Sequence, residues 1–155
     1  MAKRLNWGIL ATGWIADLFV KDLQLTGKKV VAVGSRSQQG ADRFAAQFGI
    51  PKAHGSYEAL VADPNVDIIY VATPHPMHAA NAVMALEGGK HILVEKAFTI
   101  NTGQARKIVD LAKSKNLQKF TTSFRLLQFQ DLLPHTMLLK FLFKIRCHSF
   151  KTTYC

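Results

Sequence analysis

Four short stretches carry residues whose types and spacing could do chemistry. In HILVEKAFTIN, residues 91–101, an apolar run ends in an acid and a base side by side, Glu95 and Lys96. Burying a lysine at a strand end costs free energy unless it meets an anion or a hydrogen-bonding ligand. A lysine so placed can bind a substrate hydroxyl or help move its proton. A surface ion pair with a neighbouring helix is the plainer reading of the same spacing. In ILATGWIA the small residues Ala11, Gly13 and Ala16 form a degraded GxGxxG at a strand-to-helix turn. Small residues there let backbone N–H groups and a helix N-terminus approach a pyrophosphate, although they also serve simple packing. The repeated β/α context around them favours the dinucleotide reading.

The third stretch, VGSRSQQG, ends an apolar run with Ser35, Arg36 and Ser37. An NAD-binding fold usually places an acidic residue here to accept from the ribose 2′-hydroxyl, and none occurs from Leu23 through Ala41. A guanidinium flanked by hydroxyls suits a dianionic 2′-phosphate, so NADP is expected over NAD. A solvated loop arginine is the alternative. In the fourth, VATPHPMHAANA, Thr73, Pro74 and His75 follow a strand, where ligands sit in open α/β sheets. Two prolines shape this loop. His75 and His78 are three apart, but no carboxylate stands near enough to complete a metal site. His78 reads better as a helix-start histidine packing on the sheet, and no metal is expected.

The elements that must hold these stretches are legible from about residue 5 to 115. LNWGILA, VVAVGS, DIIYVAT and HILVEK read as strands, with KAHG a short segment between. WIADLFVKDLQ, QGADRFAAQFG, SYEALVAD, MHAANAVMALEGG and NTGQARKIVDLAKSKN read as helices. Continuous Val/Ile runs joined by helices argue for a parallel sheet buried on both faces. Gly49 and the Gly88-Gly89 pair fall where C-cap glycines belong. The fold class is α/β, a doubly wound parallel sheet of the Rossmann type.

The chain has 155 residues, 48% hydrophobic and 19% charged, enough for one ordinary globular domain. No segment reads as a signal peptide or a membrane span, so a reducing, cytoplasmic location is the default. Of the net charge of +10, residues 117–155 carry half. Elsewhere bases and acids are interspersed, and no basic stripe or reader motif points to nucleic acid. A small phosphate ligand suits the charge equally well. Cys147 and Cys155 lack CxxC spacing and read as incidental thiols. Residues 117–155 contain no Gly, Ala, Val or Glu yet hold six of the ten phenylalanines, and Pro134 interrupts their apolar pattern. Such inconsistency argues against a segment shaped to pack on this domain. The expected organisation is a nucleotide-binding domain at 1–116 and a divergent tail at 117–155.

WGILATGWIA, TPHPMH and LVEKAFTIN together resemble the glucose–fructose oxidoreductase / inositol dehydrogenase (Gfo/Idh/MocA) family. They look like its branch of dimeric dihydrodiol dehydrogenases and fungal NADP-dependent D-xylose dehydrogenases. The resemblance covers about residues 5–116. It implies an NADP-binding Rossmann domain, a second sheet-rich domain that binds substrate and forms a dimer, and a Glu-Lys-Pro motif whose lysine touches cofactor and substrate. Lys96 is then the catalytic residue. The implied cofactor contacts are Ala11, Thr12, Gly13, Trp14, Ile15, Ser35, Arg36, Ser37, Thr73, Pro74, His75, His78, Glu95 and Lys96. Ala97 stands where the family has proline, and Ala11 where the first glycine commonly stands; both changes are small for small and imply altered affinity more than lost binding. LQKFTTSFRLLQFQ is expected to replace the family's sixth strand, with the tail in place of the second domain and the family's dimer surface missing.

The implied activity is oxidation of a sugar or dihydrodiol CH–OH with NADP, weak or absent in a chain reduced to its nucleotide-binding half. Two other classes remain: a non-catalytic NADP-binding or regulatory module with the tail as interaction segment, or a tail that docks on a membrane surface. A shifted reading frame or retained intron explains the tail's composition more economically than either.

Overall fold

A computed structural model of the chain describes residues 5–121. Six strands alternate with helices: β1 (Trp7–Leu10), α1 (Trp14–Leu25), β2 (Val30–Gly34), α2 (Gln38–Phe48), β3 (Lys52–His54), α3 (Tyr57–Ala62), β4 (Ile68–Val71), α4 (His78–Glu87), β5 (His91–Val94), α5 (Thr102–Ser114) and β6 (Lys119–Thr121). A 3₁₀ turn, His75–Met77, leads into α4. The strands form one sheet in the order β3-β2-β1-β4-β5-β6, and all its pairings are parallel. The doubly wound sheet expected from the Val/Ile runs is therefore present.

Burial follows the sequence pattern. Every residue of β1, β2 and β4 is buried, as strands covered by helices on both faces require. Leu10, Ile69, Val71, Ile92 and Val94 join Leu60, Leu86 and Ile108 in one apolar cluster. Glycines in the central strands let α3 and the turn after it approach closely. A Cβ on Gly8 would sit 2.8 Å from Val66 Cγ1, and one on Gly34 would sit 2.8 Å from Leu60 Cβ.

Three helices start at polar side-chain caps, and the C-cap glycines fall as expected with one exception. Ser37, Ser56 and Asn101 cap α2, α3 and α5 through their side-chain oxygens. Gly49 closes α2 at a left-handed φ of 63°. At the end of α4 the left-handed turn falls on Gly89, φ 76°, while Gly88 has φ −72°. Gly88 is required for space, because a Cβ there would lie 2.2 Å from Val61 Cγ1.

Away from the strand ends that face the candidate residues, the turn into β4 is pinned by polar groups. Asp63 is buried and accepts from Asn65 N and Nδ2, with His54 Nε2 at 3.1 Å and Lys52 Nζ at 3.3 Å. Lys90 Nζ donates to the carbonyls of Asp63 and Val66 at 2.7 and 2.8 Å.

One expectation is corrected. LQKFTTSFRLLQFQ does not replace the sixth strand entirely, because Lys119–Thr121 pairs with Ile92–Val94 in parallel register. Three residues leave no alternation to read, which is why the strand is invisible in composition. The readings of the tail from residue 122 onward, Cys147 and Cys155 included, lie outside the described residues. Among the described residues no helix is long and apolar enough to cross a membrane.

Candidate functional site

The strand order places β1 beside β4, with earlier strands on one side and later strands on the other. In such sheets ligands bind beyond the carboxyl ends of the strands at this reversal. Residues 11–15 follow β1, residues 35–37 follow β2, residues 73–78 follow β4, and residues 95–96 follow β5. All four stretches singled out in the sequence therefore emerge from the same edge of the sheet.

After β1 the backbone turns sharply. Ala11 has φ 94°, a region that glycine favours, and its N–H donates to Gly34 O at 2.9 Å. Gly13 is the N-cap of α1, extended in backbone and supplying no side-chain cap. Because the N-cap carries no side chain, the start of α1 is open to an oxygen acceptor such as that of a pyrophosphate. A Cβ on Gly13 would meet no other group within 4 Å, whereas Ala16 is fully buried against the sheet. The two small residues have different roles: Gly13 leaves the approach open, and Ala16 allows close packing. Trp14 lies 58% exposed beside this turn, with Thr12 and Ile15 half-buried.

After β2, Ser35 is buried and its hydroxyl lies 3.4 Å from Thr12 Oγ1. Arg36 is exposed, and Ser37 accepts from Gly40 N at 3.2 Å as it caps α2. The absence of a side chain on Gly40 maintains this arrangement, because a Cβ would lie 2.9 Å from Ser35 Oγ and 3.1 Å from Ser37 Oγ. Two hydroxyls and a guanidinium gather here, at a helix start with no acidic residue in its first turn. The chemistry fits a phosphate better than a neutral diol.

After β4 and β5 two loops are tied together by a buried histidine. His78 is 1% exposed, with Nε2 2.7 Å from Thr73 O and Nδ1 2.8 Å from Ala97 O. Asn81 Nδ2 donates to Thr73 Oγ1 at 3.1 Å, fixing the same buried threonine a second time. His78 packs at the helix start as its position suggested, with its ring seated between the two loops. Pro74 and His75 are exposed; the His75 ring meets His78 edge-on at 5.5 Å. Among the described residues no three His, Cys, Asp or Glu side chains gather as a metal site.

The acid and base of the opening stretch are separated by burial. Glu95 is 4% exposed, while Lys96 lies exposed at the sheet edge. The buried member of the pair is thus the glutamate rather than the lysine. Glu95 Oε1 accepts from the Tyr70 hydroxyl and Oε2 accepts from Lys96 N at 2.9 Å. Burial and the neighbouring Glu95 charge both raise the Tyr70 phenol well above its ordinary pKa, so it remains a donor. The Lys96–Ala97 peptide is cis.

Sequence reasoning missed Tyr70, Asn81 and Gly40. Tyr70 had a readable signal: a phenol in the aliphatic run IIYV must find a buried partner for its hydroxyl. Gly40 had none, because its role lies in the two hydroxyls that it leaves undisturbed.

The chain is similar to known proteins. The profile described as "Oxidoreductase family, NAD-binding Rossmann fold" (Gfo/Idh/MocA) matches residues 5–123. A D-xylose 1-dehydrogenase (NADP(+)) from Hypocrea jecorina is 49% identical over a 127-residue alignment that covers 73% of this chain and 32% of that protein. A trans-1,2-dihydrobenzene-1,2-diol dehydrogenase from Mus musculus is 41% identical over 116 residues, 73% of this chain and 35% of its own length. Among solved structures, a 3-ketoreductase from Actinomadura kijaniata in complex with NADP superposes with a TM-score of 0.74 at 30% identity, covering 77% of this chain and 39% of that one. The chain spans about a third of the length of the curated relatives it matches. An uncapped α1 start, a phosphate-suited turn after β2 and the Glu95-Lys96 pair thus coincide with a profile covering most of the chain, which belongs to the Gfo/Idh/MocA oxidoreductase family as an NAD(P)-binding Rossmann domain.

Proposed function

We propose that the chain is the NADP-binding half of a dehydrogenase that oxidises a CH–OH group of a sugar or dihydrodiol. The observation that carries this reading is the convergence, on one sheet edge, of the uncapped α1 N-terminus, the Ser35–Arg36–Ser37 turn and the exposed Lys96. The backbone from Ala11 to Ile15 would hold the pyrophosphate. Ser35, Arg36 and Ser37 would hold the 2′-phosphate. Thr73, Pro74 and His75 would line the nicotinamide side, with His78 and Glu95 fixing the loops behind it. A bound nicotinamide would supply the hydride acceptor. Lys96 would orient the substrate hydroxyl and accept or relay its proton. The names of the relatives support these substrate classes, one an NADP(+)-dependent D-xylose dehydrogenase and one a dihydrodiol dehydrogenase. Substrate contacts and a dimer surface belong to protein beyond residues 5–121. These residues by themselves bind nucleotide and turn over poorly, in the reducing, cytoplasmic setting expected from the sequence.

Titration of the purified chain with NADPH and with NADH, followed by tryptophan fluorescence through the exposed Trp14, tests the cofactor choice. NADPH binds more tightly, and Arg36→Ala weakens NADPH by roughly 10- to 100-fold while leaving NADH nearly unchanged, the range for losing a charged hydrogen bond. Equal affinities for the two nucleotides, or an Arg36→Ala variant that weakens both alike, sink the NADP reading.

A further inference from the structure

A buried carboxylate is expensive unless it is paired, and an apolar pair of similar volume would pack the same space at no such cost. Tyr70 and Glu95, 0% and 4% exposed, nonetheless occupy the centre of the sheet near its carboxyl edge. Their placement limits what the pair can be for. Tyr70 lies in β4, directly opposite Leu93 of β5, and its hydroxyl crosses to Glu95 just past the strand end. The ring is held by stacking on Phe19 of α1, with centroids 3.7 Å apart and planes at 21°. Phe19 in turn leans on Trp7, at 5.5 Å. The phenol therefore has little freedom to aim elsewhere.

Glu95 transmits this constraint. Its other oxygen takes the N–H of Lys96, and on the far side His78 Nδ1 lies 2.8 Å from the carbonyl of Ala97. The backbone on both sides of the Lys96 side chain is thus tied to buried groups, while the side chain itself is exposed.

We propose that Tyr70 is a positioning residue: through Glu95 it fixes the backbone of Lys96, and with it the place of the lysine beside the nicotinamide of a bound nucleotide. The proposal rests on the NADP-binding reading above. It assigns Tyr70 no contact with substrate or cofactor.

The test compares two ligands on the full chain: NADPH, and the same nucleotide lacking nicotinamide (2′-phospho-ADP-ribose). Tyr70→Phe keeps the ring stack and removes only the donor. It is expected to weaken NADPH roughly tenfold, the low end for a hydrogen bond to a charged group, while leaving the fragment unchanged. In a Lys96→Met background the same substitution is expected to cost nothing further, since both changes act through one group. Glu95→Gln, which keeps the shape but not the charge, should show the same selective loss and serves if Tyr70→Phe does not fold. Equal losses for both ligands, no loss for NADPH, or an additive loss on top of Lys96→Met overturn the proposal while leaving NADP binding intact. A wild-type chain that binds neither ligand overturns both readings together.

Discussion

Ala11 shows how much a single backbone angle can constrain a side chain. At φ 94° a Cβ is strained by about 1–3 kcal/mol. Changing it to glycine relieves that strain but loses a buried methyl, worth about 0.8 kcal/mol, and adds about 0.5–1 kcal/mol of chain entropy. These terms partly offset, so Ala11→Gly should alter stability by less than about 2 kcal/mol and is as apt to raise it as to lower it. Ala11→Val has no such compensation and should cost about 2 kcal/mol or more, because a β-branched residue tolerates positive φ worst. Urea melts of the two variants check this; similar losses in both would contradict the strain argument. Asp63 gives a pH-dependent counterpart. Burial alone would raise its carboxyl, but donors from Asn65, His54 and Lys52 outweigh burial and hold it far below the ordinary carboxylate value. A depressed folded-state value stabilises the fold above about pH 4 and is lost as pH falls toward that lowered value. Asp63→Asn should cost about 2 kcal/mol at neutral pH, with the gap to wild type narrowing progressively between pH 4 and 2. A gap independent of pH would contradict it. At this scale the chemistry of HILVEK was legible in the sequence but its geometry was not. Residue types reveal an acid beside a base, whereas which one is buried depends on Tyr70, 25 positions away.

Among elements, the long amphipathic helices and the Val/Ile strands were legible because their periods repeat. The serine and asparagine caps act within three residues of their own helix, a local signal independent of the rest of the fold. The edge strands β3 and β6, three residues each, offered too few positions for any period to register. Glycine was ambiguous for a different reason: it permits a turn and it permits contact, and sequence does not separate the two. Gly88 belongs to the second kind. Gly88→Ala should cost about 1–3 kcal/mol by forcing Val61 aside. In a Val61→Ala background, where the space has been vacated, the same change should cost little. Denaturant midpoints for the four proteins of that cycle provide the measurement. An unchanged penalty in the second background would place the strain in the backbone instead.

For the whole molecule, the reversal between β1 and β4 both creates the site and divides the chain. Groups suited to the adenylate side come from residues 11–37, and groups suited to the nicotinamide side from residues 73–97. The fold class was legible because every one of these segments sits in a repeating β/α context, which no single motif could have established. The reversal also sets an order of events. During synthesis β1 can pair with β2 once about thirty-four residues are available, but its other flank waits for β4, whose partners to Trp7–Leu10 are Ile68–Val71. Asn6 waits with it, since its backbone N–H and side-chain amide bind Asp67 and Asn65. Until that stretch emerges, a strand of Trp, Ile and Leu presents open backbone on its inner edge, the geometry that invites pairing with another chain. The seam proposed to hold the cofactor is therefore also an open edge of the nascent chain.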